Sequence, residues 1–335
     1  MKKLSVIISN RNDITMMVIT VRSCIEAFKP IGIENCEIVI ADNSDPAYYS
    51  RLQAALPTGY CRDKTLFIYR QEEPCLFSAR ELAAEKANGK YIACLDSHML
   101  VGHNSFLDML NFMEKHEGEK IGFAHAPINW AHQHERRSRH DRNLDQNELG
   151  PWGTAYKEER KITWKGMPWI CSREWFLDRE KGLNGYGALA SKRISWGGGD
   201  MHIGVKPWLL GFENWAVPTS PCIHIGPFPK SDTVKGDSNS TIISRKIDDV
   251  DKYRVYSSSG NYPHAFGFLV SCYILGGEAM MLRNKAAIKE RFGRYIDLDK
   301  HWEIAKEVGK EEREWLLNHQ IMSFDEFIAK KPWNN

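Results

Sequence analysis

From Leu4 to about His125 the chain alternates short β-type runs with helix-type segments, and no other feature restricts its fold as strongly. The β-type runs are Leu4–Ser9, Glu37–Ala41, Thr65–Tyr69, Tyr91–Leu95 and Ile121–His125; between them lie Ile14–Phe28, Pro46–Leu56, Phe77–Asn88 and Asn104–His116. Strands joined through helices run parallel, so this order predicts an α/β fold with a mostly parallel, Rossmann-like sheet and helices flanking both faces. Asp45-Pro46 suits a helix start and Asn88-Gly89 a helix stop. Such sheets bind ligands outside the carboxyl ends of their strands, where Asn10-Arg11, Asp42-Asn43 and Asp96-Ser97-His98 all fall.

With 335 residues, 42% hydrophobic and 26% charged, the chain suits one large α/β domain and an appendage. Lys2 and Lys3 precede an apolar run, but Asn10, Arg11 and Asp13 interrupt it too early for a signal peptide, so the run is expected to be the first strand. No later segment reaches the roughly 18 apolar residues of a membrane span, and no transmembrane segment is expected. The eight cysteines are scattered without a Cys-x-x-Cys, as reduced thiols of a cytoplasmic protein would be. A net charge of +2 does not by itself imply a polyanionic partner, and nothing fixes an oligomeric state.

Past His125 the rhythm is lost. Residues 127–165 are polar and aromatic, with the basic run His132 to Arg142. Order is expected again at Met167–Cys171, in a helix from about Arg173, and in a helix from the Gly-rich Trp196–Asp200 to near Leu210. Gly226 to Ser240 has the composition of a mobile loop. Phe266–Met281, Lys285–Phe292 and the amphipathic stretch His301–Ala329 are expected to be helical. The domain division is thus 1–228 for the catalytic unit, with 127–165 as an insertion, and 229–335 for the loop and a helical C-terminal extension.

The chemistry concentrates in Tyr91-Ile92-Ala93-Cys94-Leu95-Asp96-Ser97-His98, where a buried-type strand ends in an acid and an imidazole. Where the strand breaks, Asp96 and His98 can turn toward one cation, and an oxygen with a nitrogen donor suits Mn²⁺ better than Ca²⁺. An ordinary turn, with Asp96 accepting backbone N–H groups, would look the same in isolation.

Phe77 to Lys90 running into Leu95-Asp96-Ser97-His98, then Trp196-Gly197-Gly198-Gly199-Asp200-Met201-His202, Lys206–Gly211, and Pro218 with Cys222-Ile223-His224-Ile225-Gly226, together resemble polypeptide N-acetylgalactosaminyltransferases. More broadly they are similar to GT-A glycosyltransferases of families 2 and 27, over roughly Leu4 to Phe228. The resemblance implies a GT-A fold and a hexosyltransferase-type enzyme using a nucleotide sugar such as a UDP-sugar with Mn²⁺ or Mg²⁺. It implies metal ligands Asp96, His98 and His224, with Asp42 on the base or ribose, Arg80 as a donor-side contact, and Asn10, Arg11 and Trp196 along the donor site. Asp200 stands where inverting family 2 enzymes keep a general base, but Gly199 occupies the place of the preceding acid. A helix-capping role for Asp200, a buried structural His224 and core tryptophans are the competing readings, and retaining or inverting chemistry stays open.

The acceptor implied is a glycan or glycolipid hydroxyl. Arg136, Arg137, Arg139 and Arg142, interleaved with Trp130, His134, Trp152 and Tyr156, suggest instead a nucleic acid, as in phage-type enzymes that glycosylate hydroxymethylated pyrimidines in DNA. A third possibility is an inactive sugar- or nucleic-acid-binding module, suggested by Gly199.

Overall fold

The computed structural model describes residues 1–57, 59, 64–72, 75–130, 158–160, 162, 167–191, 194, 195, 197–225, 262–293 and 296–332. The basic run, Trp196 and the Gly226–Ser240 segment lie outside these residues.

The expected βα alternation forms almost residue for residue. Strands β1 (Lys2–Asn10), β2 (Cys36–Asp42), β3 (Leu66–Arg70), β4 (Gly89–Asp96) and β6 (Ile121–His125) are separated by helices α1 (Thr15–Phe28), α2 (Pro46–Ala55), α3 (Leu76–Lys86) and α4 (Ser105–Lys115). A short strand β5 (Met99–Leu100) follows β4. The main sheet has eight strands in the order β3-β2-β1-β4-β9-β6-β10-β8, where β8 is Glu159–Arg160, β9 Trp169–Ser172 and β10 Glu213–Ala216. β1, β2, β3 and β4 are parallel, as β10 is to β6, whereas β9 lies antiparallel between β4 and β6. A second sheet joins β5, β11 (Cys222–His224) and β7 (Ile128–Trp130).

Period-two alternation divides the core between the sheet's faces. Leu4, Val6 and Ile8 point with Ile38 and Ile40 into a cluster under α1 and α4. Ile7, Val39, Ile92 and Cys94 face the other cluster, which contains α3, α5 (Arg173–Leu177), α6 (Gly199–Leu209) and the C-terminal helices α7 (Tyr262–Phe292), α8 (Leu298–His319) and α9 (Phe324–Lys330). The C-terminal helices thus share the core of the sheet.

Gly89 does not stop a helix. Helix α3 ends at Lys86, and Gly89 opens β4 where a Cβ would stand 2.5 Å from the Ser5 nitrogen. Close strand approach, not helix termination, selects glycine there. Among the described residues one helix, Ala265–Ala286 within α7, is long and apolar enough to cross a membrane by length and composition alone, where none is expected from the sequence. Its apolar window is 72% buried by the rest of the protein, which is the environment of a core helix.

Candidate functional site

Strand β4 delivers Asp96 at its carboxyl end, and the turn into β5 brings His98 alongside it. His224 arrives from β11, which pairs with β5 so that His224 lies opposite Met99, and the Ile225 nitrogen donates to the His98 carbonyl at 2.9 Å. The side chains converge: His98 Nε2 is 3.2 Å from His224 Nε2, His224 Nε2 is 3.5 Å from Asp96 Oδ2, and His98 Nε2 is 3.9 Å from that oxygen. Donor atoms about 2.1 Å from one cation lie roughly 3.0 to 3.4 Å apart in octahedral or tetrahedral geometry. The 3.2 and 3.5 Å edges are near that range and the 3.9 Å edge is longer, so this triangle can cap one face of a coordination sphere once His98 and Asp96 draw closer. The donor set fits a borderline divalent ion and leaves the opposite positions open.

Arg80 is buried beneath this cluster at 2% exposure. Its Nη2 donates to Asp96 Oδ1 at 2.9 Å and its Nη1 to the Tyr186 hydroxyl at 3.0 Å. Arg80 therefore grips the acid of the candidate metal cluster. Burial pushes the Asp96 carboxyl up, but the His224 bond, the Arg80 charge and the charge of His98 outweigh it and hold the group well below the usual carboxylate range. Burial likewise opposes a charged His98, yet its bond to Asp13 and the charges of Asp96 and Asp13 leave its pKa above the ordinary value.

Asn10 and Asp42 come together at the ends of β1 and β2. Asp42 is fully buried and accepts from Asn10 Nδ2 at 2.6 Å, Ser44 Oγ at 2.7 Å and Arg70 Nη1 at 3.4 Å. Asp42 does not cap α2: Asp45 is the N-cap residue and bonds Asn12 instead. Arg11 follows Asn10 directly and is half-buried.

Asp200 lies in the first turn of α6, half-buried, after Gly197 at φ 102° and Gly198 at φ 78°. Tyr186 lies between Phe77 and Arg80. Burial first, and among other causes the charge of Asp200, raises its phenol pKa, while its hydroxyl accepts from Arg80. A Cβ on Gly199 would stand 2.3 Å from Phe77 Cε1, so the aromatic ring fills the space an acid would need. Phe77 is itself packed on Tyr186, ring centroids 4.9 Å apart.

Three residues absent from the sequence-based set join the site. Asp13 lies against His98, Tyr186 accepts from Arg80, and Arg70 meets Asp42. Asp13 follows the first strand by three residues, an acid in the turn facing the ligand end, which was the available signal.

Glycosyl transferase family 2 matches residues 5–180 of this chain. A crystal structure of GalNAc-T7 with UDP, GalNAc and Mn²⁺ is similar at TM-score 0.59 and 17% identity, covering 99% of this chain, which spans 58% of the GalNAc-T7 chain. A structure of S. aureus TarS 1–349 aligns at TM-score 0.49 and 11% identity, over 99% of this chain and 93% of that one. No curated protein matches the sequence. The mostly parallel mixed sheet and its flanking helices are a GT-A fold, and with more than half of its length matched, the chain belongs to glycosyl transferase family 2.

Proposed function

We propose that this glycosyltransferase transfers a sugar from a nucleotide-sugar donor to an acceptor hydroxyl with the help of a divalent cation, Mn²⁺ or Mg²⁺. The observation that carries the reading is the convergence of Asp96, His98 and His224 at strand ends, with donor atoms all within 4.8 Å of one another. A bound cation would act there as a Lewis acid that neutralises charge on the departing diphosphate. Arg80 holds Asp96 ionised and oriented. The nucleoside end belongs at Asn10, Arg11 and Asp42, at the carboxyl ends of β1 and β2. Asp200, in the first turn of α6, would take the proton of the acceptor hydroxyl. The similar fold of GalNAc-T7, whose structure holds UDP and GalNAc, makes UDP-sugars the first donors to try.

The acceptor is proposed as a glycan or glycolipid, with a hydroxymethylated pyrimidine in DNA as the alternative. Nucleotide release from a panel of nucleotide sugars with Mn²⁺, with and without these acceptors, separates the two; release from no donor favours an inactive binding module. The metal reading is tested at His224. His224→Ala is expected to weaken Mn²⁺-dependent binding of UDP at least about tenfold in calorimetry, with the circular dichroism spectrum retained. Unchanged affinity removes His224 from the site.

A further inference from the structure

Of the three candidate ligands, His98 is held least by its own strand, because it lies beyond the end of β4 in the turn before β5. Its two ring nitrogens face different neighbours. Nε2 faces His224 and Asp96, while Nδ1 is 3.3 Å from Asp13 Oδ2 and 3.2 Å from Ser97 Oγ. Ser97 Oγ in turn bonds the same Asp13 oxygen at 3.2 Å. An ionised carboxylate only accepts, so the proton on the ring belongs on Nδ1 and the lone pair of Nε2 is directed at the cation position.

We propose that Asp13 is the positioning residue of the metal site, fixing His98 as the Nδ1–H tautomer and aiming Nε2 at the metal. The inference rests on the metal reading above. Asp13 suits the task because it is itself fixed: it is 5% exposed, and its Oδ1 accepts from the Met16 nitrogen at 3.3 Å at the start of α1. Helix α1 also clamps the backbone on both sides of His98. Thr20 Oγ1 donates to the Ser97 carbonyl at 2.8 Å and accepts from the Met99 nitrogen at 2.9 Å. The backbone is therefore oriented from α1 and the ring from the turn that leads into it.

The same turn reaches the nucleoside end. Asn10 donates to Asp42 at 2.6 Å, and the Asn12 nitrogen donates to Ser44 Oγ at 2.7 Å. A carboxylate behind a ligating histidine orients the ring and raises its basicity, and losing such a partner commonly weakens metal binding about 10- to 100-fold.

Asp13→Asn is the informative variant, since asparagine can keep the bond to Met16 while losing the charge that selects the tautomer. Mn²⁺ affinity would be measured by calorimetry without nucleotide, alongside the ¹⁵N shifts of the His98 ring in metal-free protein at a pH alkaline enough to keep the ring neutral, and the melting temperature. The expected result is Mn²⁺ binding at least about tenfold weaker, a His98 ring no longer confined to the Nδ1–H form, and an unchanged melting temperature. Asp13→Glu, which restores the carboxylate, should recover part of the affinity. If the wild type binds Mn²⁺, His98→Ala loses it, and Asp13→Asn keeps wild-type affinity and tautomer, the Asp13 role is overturned alone. If the wild type binds no Mn²⁺, the metal reading falls and takes this inference with it.

Discussion

Gly199 illustrates how one missing side chain can have a packing cause. An acid at that place would have to displace Phe77, which is 2% exposed and pinned against Tyr186. Gly199→Ala is therefore expected to destabilise the protein by about 1–3 kcal/mol through overpacking, and Phe77→Leu combined with it to recover part of that loss. Urea denaturation of the two single variants and the double variant checks this, and additive effects would show that the two positions do not compete for space. At this scale the site was partly legible. Asp96 and His98 announce themselves because they stand two positions apart in sequence at the end of an apolar run. Asp13 does not, because its partner is distant in sequence and the contact exists only once α1 has packed beside the β4–β5 turn. Arg80 is legible only as a residue near the donor; that it bonds Asp96 and Tyr186 follows from its place on a buried helix face.

At the scale of elements, α6 and α8 are joined by a buried ion pair. Lys206 Nζ donates to Glu312 Oε1 at 2.5 Å, both side chains being at most 5% exposed, and lies 4.8 Å from the centre of the Trp315 ring. Asn184 Nδ2 donates to the other Glu312 oxygen at 2.8 Å. Removing one partner strands a charge, so Lys206→Met should cost about 3–5 kcal/mol, while Lys206→Met with Glu312→Leu should cost far less. A double-mutant cycle by chemical denaturation measures the difference, and equal losses would contradict the pairing. The pair also shows where sequence reading stopped. Periodicity gave the strands and helices from Leu4 to His125, but it could not place β9, whose four residues contain no signal that they enter the sheet antiparallel. The two helices expected at Phe266–Met281 and Lys285–Phe292 are present within Tyr262–Phe292, but the break between them falls earlier, at Gly277, where φ is 61°. Arg313 Nη1 donates to the carbonyls of Ile274 and Leu275 there, supplying partners that the break removes. The stretch from His301 to Ala329 is two helices, because Ser323 forms a capping box with Glu326 and starts α9 anew.

For the whole molecule, Glu81 links the core to pH. It accepts from the Tyr186 nitrogen at 2.6 Å and the Gly187 nitrogen at 3.1 Å. Burial, only partly countered by these bonds and by Lys206, pushes its carboxyl up to about 7 from 4.5, with Glu312 adding to the rise. A carboxyl raised in this way contributes its stability fully below the unfolded value and loses it as pH rises through the folded value. Between about pH 4.5 and 7 the native state should therefore lose on the order of 2 kcal/mol through this group, allowing for its partial exposure. Glu81→Gln retains an acceptor for both nitrogens and removes the titration. Denaturation at pH 5 and pH 8 should show the wild type losing more stability than the variant; parallel losses would exclude Glu81 as the source.

The antiparallel strand between β4 and β6 also sets an order in time. Synthesis from the N-terminus delivers β1, β2, β3 and β4 first, and these can pair as a parallel half-sheet, but one edge of β4 stays bare until Trp169–Ser172 has emerged. Closing that gap means bringing together strands separated by the entire insertion, a non-local pairing that is slow by nature. Throughout this interval the strand that ends in Asp96 is an open edge, available to any other extended chain. The strand that supplies Asp96 is thus also a place where a nascent or truncated chain is exposed to mispairing.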